Sequence, residues 1–316
     1  MKILITGATG FLGRHLMRRL EDSEHEVIGF ARGAPEGGEQ RFVRGDVLDR
    51  ASLDAAMAGV NVLVHAAGKV SHEARDASRC LDLHVRGTRN ALESAAAAGV
   101  SRVIYLSTSG TVAVSKDPVV HDERGRSVLE IVQTWPYYRS KLFAEQEALK
   151  HNRPEMPVIS LNPSLLLGPG DTSHESTRAV MLFLQGKLTA TPHGGVSFVD
   201  VRDVAEAVIA AFTAGKGGER YLLGAVNWTW VEFYDQLAAV TGMAAPPFAL
   251  PSFTRRVLGW LPELGRDGTG SFASVSRAEL EIASHFWYLD PRRAAEELGW
   301  EARDPLTTLL DTVRGC

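Results

Sequence analysis

The sequence predicts an α/β fold, a doubly wound parallel sheet with helices on both faces and a smaller C-terminal region after it. Three observations carry that expectation. Apolar runs alternate with segments of helical period over the first half of the 316 residues. The first run breaks into glycines spaced three apart. Small or hydroxyl residues follow the runs at what would be one common edge of the sheet.

The first run, Lys2-Ile3-Leu4-Ile5, leads into Thr6-Gly7-Ala8-Thr9-Gly10-Phe11-Leu12-Gly13 and then into Arg14-His15-Leu16-Met17-Arg18-Arg19-Leu20. It reads as strand, tight turn and helix. Gly7 permits the turn, Gly10 leaves no side chain between a diphosphate and the backbone, and Gly13 lets the helix pack on the strand. The helix N-terminus then offers free amides to an anion. Val27-Ile28-Gly29-Phe30 is a second strand, 33–39 a glycine-rich loop and 41–47 a third strand. A helix over 52–57 follows, with Ser52 or Asp49 as its cap. Residues 60–68 form a fourth strand ending in His65-Ala66-Ala67-Gly68, and 77–98 a long helix closed by Gly99. Residues 102–106 form a fifth strand ending in Ser107-Thr108-Ser109-Gly110.

Pro136 opens a helix over 137–150, and 158–163 is a sixth strand that Pro163 turns out of the sheet. Beyond Gly168-Pro169-Gly170-Asp171 the alternation stops. Segments 197–205 and 220–224 read as short strands returning to the sheet, with a helix over 203–214 between them. The expected division is a dinucleotide-binding part over 1–165 with returning segments in about 196–224, and a substrate-binding region over 166–195 and 225–316. No internal repeat is visible.

Composition narrows the function. Lys and Arg total 34 against 38 Asp and Glu, a net charge of -4, which lacks the basic footprint of a nucleic-acid binder. Cys80 and Cys316 are too few for a disulfide framework or a thiolate metal cage. The apolar run after Met1-Lys2 is too short for a secretory signal, and no stretch approaches the ~20 apolar residues that span a bilayer, so a cytoplasmic protein is expected. His121-Asp122-Glu123 reads as a polar surface turn rather than a metal site. Residues 248–264 carry Phe253, Val257, Trp260 and Leu261 beside Arg255 and Arg256, a lid or packing helix in preference to a membrane-surface one.

Tyr137 and Lys141 stand four apart on a helix and share a face. A phenol of pKa ~10 is a poor base at neutral pH, and a nearby ammonium favours the phenolate. The pair is therefore a candidate for proton transfer at a substrate oxygen, with Lys141 also able to hold ribose hydroxyls.

Together, Thr6-Gly7-x-x-Gly10-x-x-Gly13, Asp46-Val47, His65-Ala66-Ala67-Gly68, Ser107-Thr108-Ser109, Tyr137-x-x-x-Lys141 and Asn162-Pro163-Ser164 with Gly168-Pro169-Gly170-Asp171 resemble the extended short-chain dehydrogenase/reductase superfamily, that of nucleotide-sugar epimerases and dihydroflavonol reductases. Segments 198–205 and 290–300 look like its later signatures, so the resemblance covers nearly the whole chain. It implies a Rossmann-type sheet, Tyr137 as general acid/base, Lys141 as its electrostatic and ribose-binding partner, and Thr108 holding the substrate oxygen, with Ser109 as the alternative. It implies that Gly7, Thr9, Gly10, Phe11, Leu12 and Gly13 cradle the diphosphate and that Asp46 and Val47 meet the adenine. Ala66, Ala67, Gly68 and Asn162, Pro163, Ser164 would flank the nicotinamide. His65 reads as a packed histidine. One departure stands out: the family commonly has Asn-x-x-Gly-Thr where this chain has His84-x-x-Gly87-Thr88.

Cofactor choice turns on the end of the second strand, Phe30-Ala31-Arg32. With no acid to bind a ribose 2′-hydroxyl and an arginine able to accept a 2′-phosphate, NADP is favoured over NAD, with Arg14 a second candidate for the phosphate. The branch resembled most is that of bacterial dihydroflavonol-reductase-like proteins, which implies a small, fairly apolar carbonyl or alcohol substrate. A nucleotide-sugar epimerase or dehydratase with tightly bound NAD and a non-catalytic dinucleotide sensor are the alternatives. Analogy with the family implies a homodimer through a helix pair that includes the Tyr137 helix.

Overall fold

The computed structural model describes residues 1–33, 41–125, 127–188, 190–251 and 276–316. The expected loop over 33–39 beyond Gly33, and the expected helix over 248–264 beyond residue 251, lie outside the described residues.

Seven parallel strands make the main sheet: β1 (Lys2–Thr6), β2 (Glu26–Ala31), β3 (Phe42–Arg44), β4 (Val62–His65), β5 (Arg102–Leu106), β6 (Val158–Pro163) and β10 (Arg220–Leu223), in the order β10-β6-β5-β4-β1-β2-β3. The order reverses between β1 and β4, the switch point where this architecture binds ligands beyond the strand ends. Strands β4 and β6 are buried along their whole length, as parallel strands covered on both faces must be.

Alternate side chains of β1 feed two cores. Ile3 and Ile5 pack with Leu16 of α1 (Phe11–Arg19) and with Val204 and Val208 of α8 (Val201–Ala210). Leu4 packs on the other face with Leu53 of α2 (Arg50–Ala56), Leu92 of α4 (Gly87–Ala98) and Ala144 of α6 (Pro136–Lys150). Of the two capping candidates, Asp49 caps α2 by accepting from the Ala51 amide, and the Ser52 hydroxyl instead bonds the Asp46 backbone. The long helix is interrupted: α3 (Ala77–Leu81) passes through a π-helical turn, Asp82–Arg86, before continuing as α4 to Gly99.

One expectation is corrected. Segment 197–205 does not return to the main sheet. Its strand, β9 (Gly195–Asp200), lies in a separate three-stranded sheet between β7 (Leu165–Leu167) and β11 (Val226–Thr229). The reason is occupancy: β10 fills the edge position beside β6. Helix α8 begins directly after β9, capped by the Asp200 carboxylate on the Arg202 amide. Residues 248 and 249, expected to open a helix, form β12 (Phe248–Ala249), paired with β8 (Ala190–Thr191). Helices α5 (Leu129–Val132), α7 (Arg178–Leu184), α9 (Trp230–Thr241), α10 (Arg277–Ala283), α11 (Arg292–Leu298) and α12 (Pro305–Arg314) complete the described chain. Among the described residues no helix is long and apolar enough to cross a membrane.

Candidate active site

The glycine turn fits a dinucleotide's diphosphate. Gly7 has φ +71°, and a Cβ there would stand 2.6 Å from the Ala66 carbonyl oxygen. A Cβ on Gly13 would stand 2.2 Å from the Gly7 carbonyl oxygen, so α1 approaches β1 closer than any other residue allows. At Gly10 a Cβ would meet only the Gly7 carbonyl, at 3.1 Å, which leaves the outer side of the turn open to an anion. Thr9 and Gly10 are exposed, Phe11 is half-buried with its ring edge-on to His15, and Leu12 is in the core. Ala66, Ala67 and Gly68 leave β4 beside this turn, where the Ala67 amide donates to Thr6 Oγ1 at 3.3 Å.

At the adenosine end, Arg32 is exposed just past β2. Arg44, which the sequence reading passed over, is also exposed and pairs in register with Ala31. Two guanidinium-bearing residues therefore flank the strand end. Arg14 is committed elsewhere, donating to the Thr9 carbonyl at 2.7 Å, the Gly170 carbonyl at 2.7 Å and Thr172 Oγ1 at 3.2 Å. Asp46 holds the turn into α2 by accepting from the Leu48 amide at 2.9 Å, and Val47 is buried against Gly87.

At the middle of the edge, Pro136 starts α6 and Tyr137 follows at its first turn. Ser140 Oγ donates to the Tyr137 carbonyl at 2.7 Å and lies 2.7 Å from His84 Nδ1. The Lys69 amide donates to His84 Nε2 at 3.1 Å, so Nε2 is the acceptor and Nδ1 carries the proton that Ser140 accepts. Burial and the neighbouring Lys141 ammonium hold His84 down at about 3, so it stays neutral. Its ring packs edge-on against Tyr137, with centroids 5.6 Å apart. The histidine that replaces the family's asparagine thus braces the Tyr137 turn.

Lys141 is 5 % exposed and donates to the Leu106 carbonyl at 2.5 Å and to the Tyr105 phenol at 3.0 Å. Burial brings its ammonium down to about 7, against the pull of Glu145. Here the expected electrostatics are corrected: the Tyr137 phenol is pushed up, not down. Desolvation dominates, with Glu175 adding to it, because the lysine is directed to the end of β5 and not to the phenol.

Asn162 is fully buried, and its amide is used on the Thr108 carbonyl at 3.1 Å, on Thr111 Oγ1 at 3.0 Å and on Glu145. That consumes its donors inside the protein, so its side chain supports the Thr108 turn and has none left for a cofactor. Thr108 Oγ1 accepts from the Gly110 amide at 3.3 Å. Ser107, Thr108, Ser109, Tyr137, Pro163 and Ser164 all line a cavity of about 340 Å³. Its remaining walls are mostly apolar and aromatic: Leu165, Leu166, Leu182, Trp230, Tyr234 and Trp287 among them. Tyr138 packs against Trp287 with ring centroids 4.7 Å apart, and the Arg178–Glu279 pair, at 2.6 Å, sits on the same wall. The histidine His65 is buried, and no group of three or more metal-ligating side chains occurs among the described residues.

A glycine cradle at the first turn of a parallel sheet, with a phenol and a buried ammonium at the same edge, defines a pyridine-dinucleotide enzyme. The chain belongs to the NAD dependent epimerase/dehydratase family, which residues 3–224 match. It is 30% identical over 319 aligned residues to a Synechocystis protein named "Putative dihydroflavonol 4-reductase", covering 98% of this chain and 92% of that one. It is 32% identical to cinnamoyl-CoA reductase 1 of Oryza sativa subsp. japonica over 70% of each chain. The solved structure of gox2253 superposes with a TM-score of 0.84 at 26% identity, covering 99% of this chain and 97% of that one.

Proposed function

We propose that the protein is an NADP(H)-dependent reductase that interconverts a carbonyl and an alcohol on a small, largely apolar molecule. The observation that carries this reading is the cavity, which gathers the Tyr137 phenol and the hydroxyls of Ser107, Thr108, Ser109 and Ser164 against a mostly apolar and aromatic wall. The cofactor, when bound, supplies or takes the hydride. Residues 6–13, Asp46, Val47, Ala66 to Gly68 and the backbone of 162–164 would hold it. Arg32 with Arg44 favours a 2′-phosphate.

The chain's own part is the proton. As the carbonyl π bond breaks and a C–H bond forms, the Tyr137 O–H gives its proton to the substrate oxygen. A phenol held above its ordinary range is fully protonated at neutral pH, which suits reduction. In the reverse direction the phenolate takes the alcohol proton, and Lys141, whose hydrogen bonds go to β5, would favour that phenolate only through its charge from one turn away. Thr108, whose Oγ1 accepts from the Gly110 amide and keeps its proton free, donates to the substrate oxygen, with Ser109 as the alternative. Residues 1–165 with β10 form the nucleotide part, and 166–195 with 225–316 shape the substrate cavity. The face of α6 that exposes Phe143 joins two copies, which sedimentation checks.

Titration with NAD, NADH, NADP and NADPH, followed by a ketone screen, tests the reading. Tyr137→Phe should lower kcat about 1,000-fold and leave nucleotide affinity within about threefold. Purified protein that retains NAD and consumes no NADPH would replace this reading with a closed redox cycle of the epimerase kind.

A further inference from the structure

Three strand ends carry a row of polar side chains. Thr6 of β1 is the register partner of His65 of β4, and His65 is the partner of Tyr105 of β5. Register partners in a parallel sheet project from the same face; this one is covered by α4 and α6. Thr6 Oγ1 lies 2.8 Å from His65 Nδ1, and His65 Nε2 lies 3.1 Å from Thr88 Oγ1 of α4. Tyr105 stacks on the His65 ring with centroids 6.0 Å apart, and its phenol oxygen accepts from Lys141 Nζ at 3.0 Å. All five residues are at least nine-tenths buried. Every link is satisfied when Thr6, already accepting the Ala67 amide, gives its proton to Nδ1 and His65 gives Nε2–H to Thr88.

We infer that Tyr105 is a positioning residue for Lys141, held by the buried Thr6–His65–Thr88 row that ties the lysine to the glycine turn. Its consequence for turnover rests on the reductase reading above; the placement itself does not. A buried ammonium is tolerated only when hydrogen-bonded, and the protein acceptors of Lys141 are the Tyr105 phenol and the Leu106 carbonyl. Glu145 of α6, Tyr105 of β5, His65 of β4 and His84 of the π turn surround it. Of these, Glu145 carries the charge, and Arg220 pairs with it at 3.0 Å. Both histidines are neutral, held down by burial and by Lys141 itself. Removing the Tyr105 oxygen leaves one acceptor, so the ammonium becomes harder to keep and freer to turn. Tyr105→Phe keeps the ring that lies 4.6 Å from Nζ and deletes only the oxygen.

The test is an NMR titration of protein labelled with 13C at lysine Cε, beside the pH profile of ketone reduction. The Lys141 resonance should titrate at least one pH unit lower in Tyr105→Phe than in the wild type, a tenfold loss of proton affinity. Thr6→Val should move it the same way by less. The alkaline limb of kcat/KM should shift with the resonance. An unmoved resonance in Tyr105→Phe, or a loss of turnover equal at every pH between about 5.5 and 8.5, overturns the inference and leaves Tyr105 as packing. If Tyr105→Phe does not fold, Thr6→Val and Thr88→Val decide by the same readout. If the wild type reduces no ketone, the reductase reading fails while the titration still decides the placement.

Discussion

The two sides of the cleft are built by different means. On the nucleotide side the shape is backbone: Gly7 and Gly13 bring chain against chain at distances where a methyl group has no room. On the substrate side the shape is mostly side chains, drawn from β7, α7, α9, α10 and Trp287, with glycine constraints at Gly110, where a Cβ would stand 2.5 Å from the Tyr138 ring, and at Gly194, where it would stand 2.2 Å from the Ala283 carbonyl oxygen. A backbone-built surface has one solution, whereas a wall of large side chains can be re-cut one residue at a time. The first side should be intolerant and the second adjustable.

The largest effect expected from that contrast is at Gly13. Gly13→Ala should cost about 3 kcal/mol, the upper end for overpacking, and weaken dinucleotide binding at least about 100-fold; near-normal affinity by fluorescence titration would break the comparison. Acid should act on the same side. His65 and His84 are held down to about 3 in the folded protein, below the ordinary 6.5. The unfolded chain therefore binds more protons below pH 6.5, and stability present above that pH is lost as pH falls toward 3. The slope is up to about 1.4 kcal/mol per pH unit for each histidine, read from urea midpoints. Arg32→Asp should then move the NADP-to-NAD preference about 30-fold toward NAD without changing stability, since the residue is exposed. The smallest effect belongs to the adjustable side: Trp287→Leu should raise KM for an apolar ketone about tenfold and change kcat little. A collapse of kcat there would mean the wall also positions Tyr137.

What the sequence disclosed follows the same line. The glycine turn, the strand runs and the Tyr137 helix are local, and their signals are spacing and period, so they stand where the residues imply. The direction of Lys141 is not local: it depends on Tyr105 and Leu106, brought alongside by packing of α6 on β5. The Thr6–His65–Tyr105 row depends on the register of strands far apart in sequence, which periodicity does not report. Strand β9 has the composition of a main-sheet strand, and only its pairing with β7 and β11 sets it in a separate sheet. Arg44 went unnoticed because its meaning comes from its neighbour Ala31 across the sheet.

The widened turn at Asp82–Arg86 carries a last consequence. A π turn takes about one residue more than an α turn to go round once, so removing one residue there would leave α3 and α4 in phase as a continuous helix and re-phase the side chains of the turn itself. The His84 imidazole, which lies inside it, would leave Ser140, and its edge-on contact with Tyr137 would go with it. A deletion that repairs the local geometry would cost the contact that joins this helix to the first turn of α6.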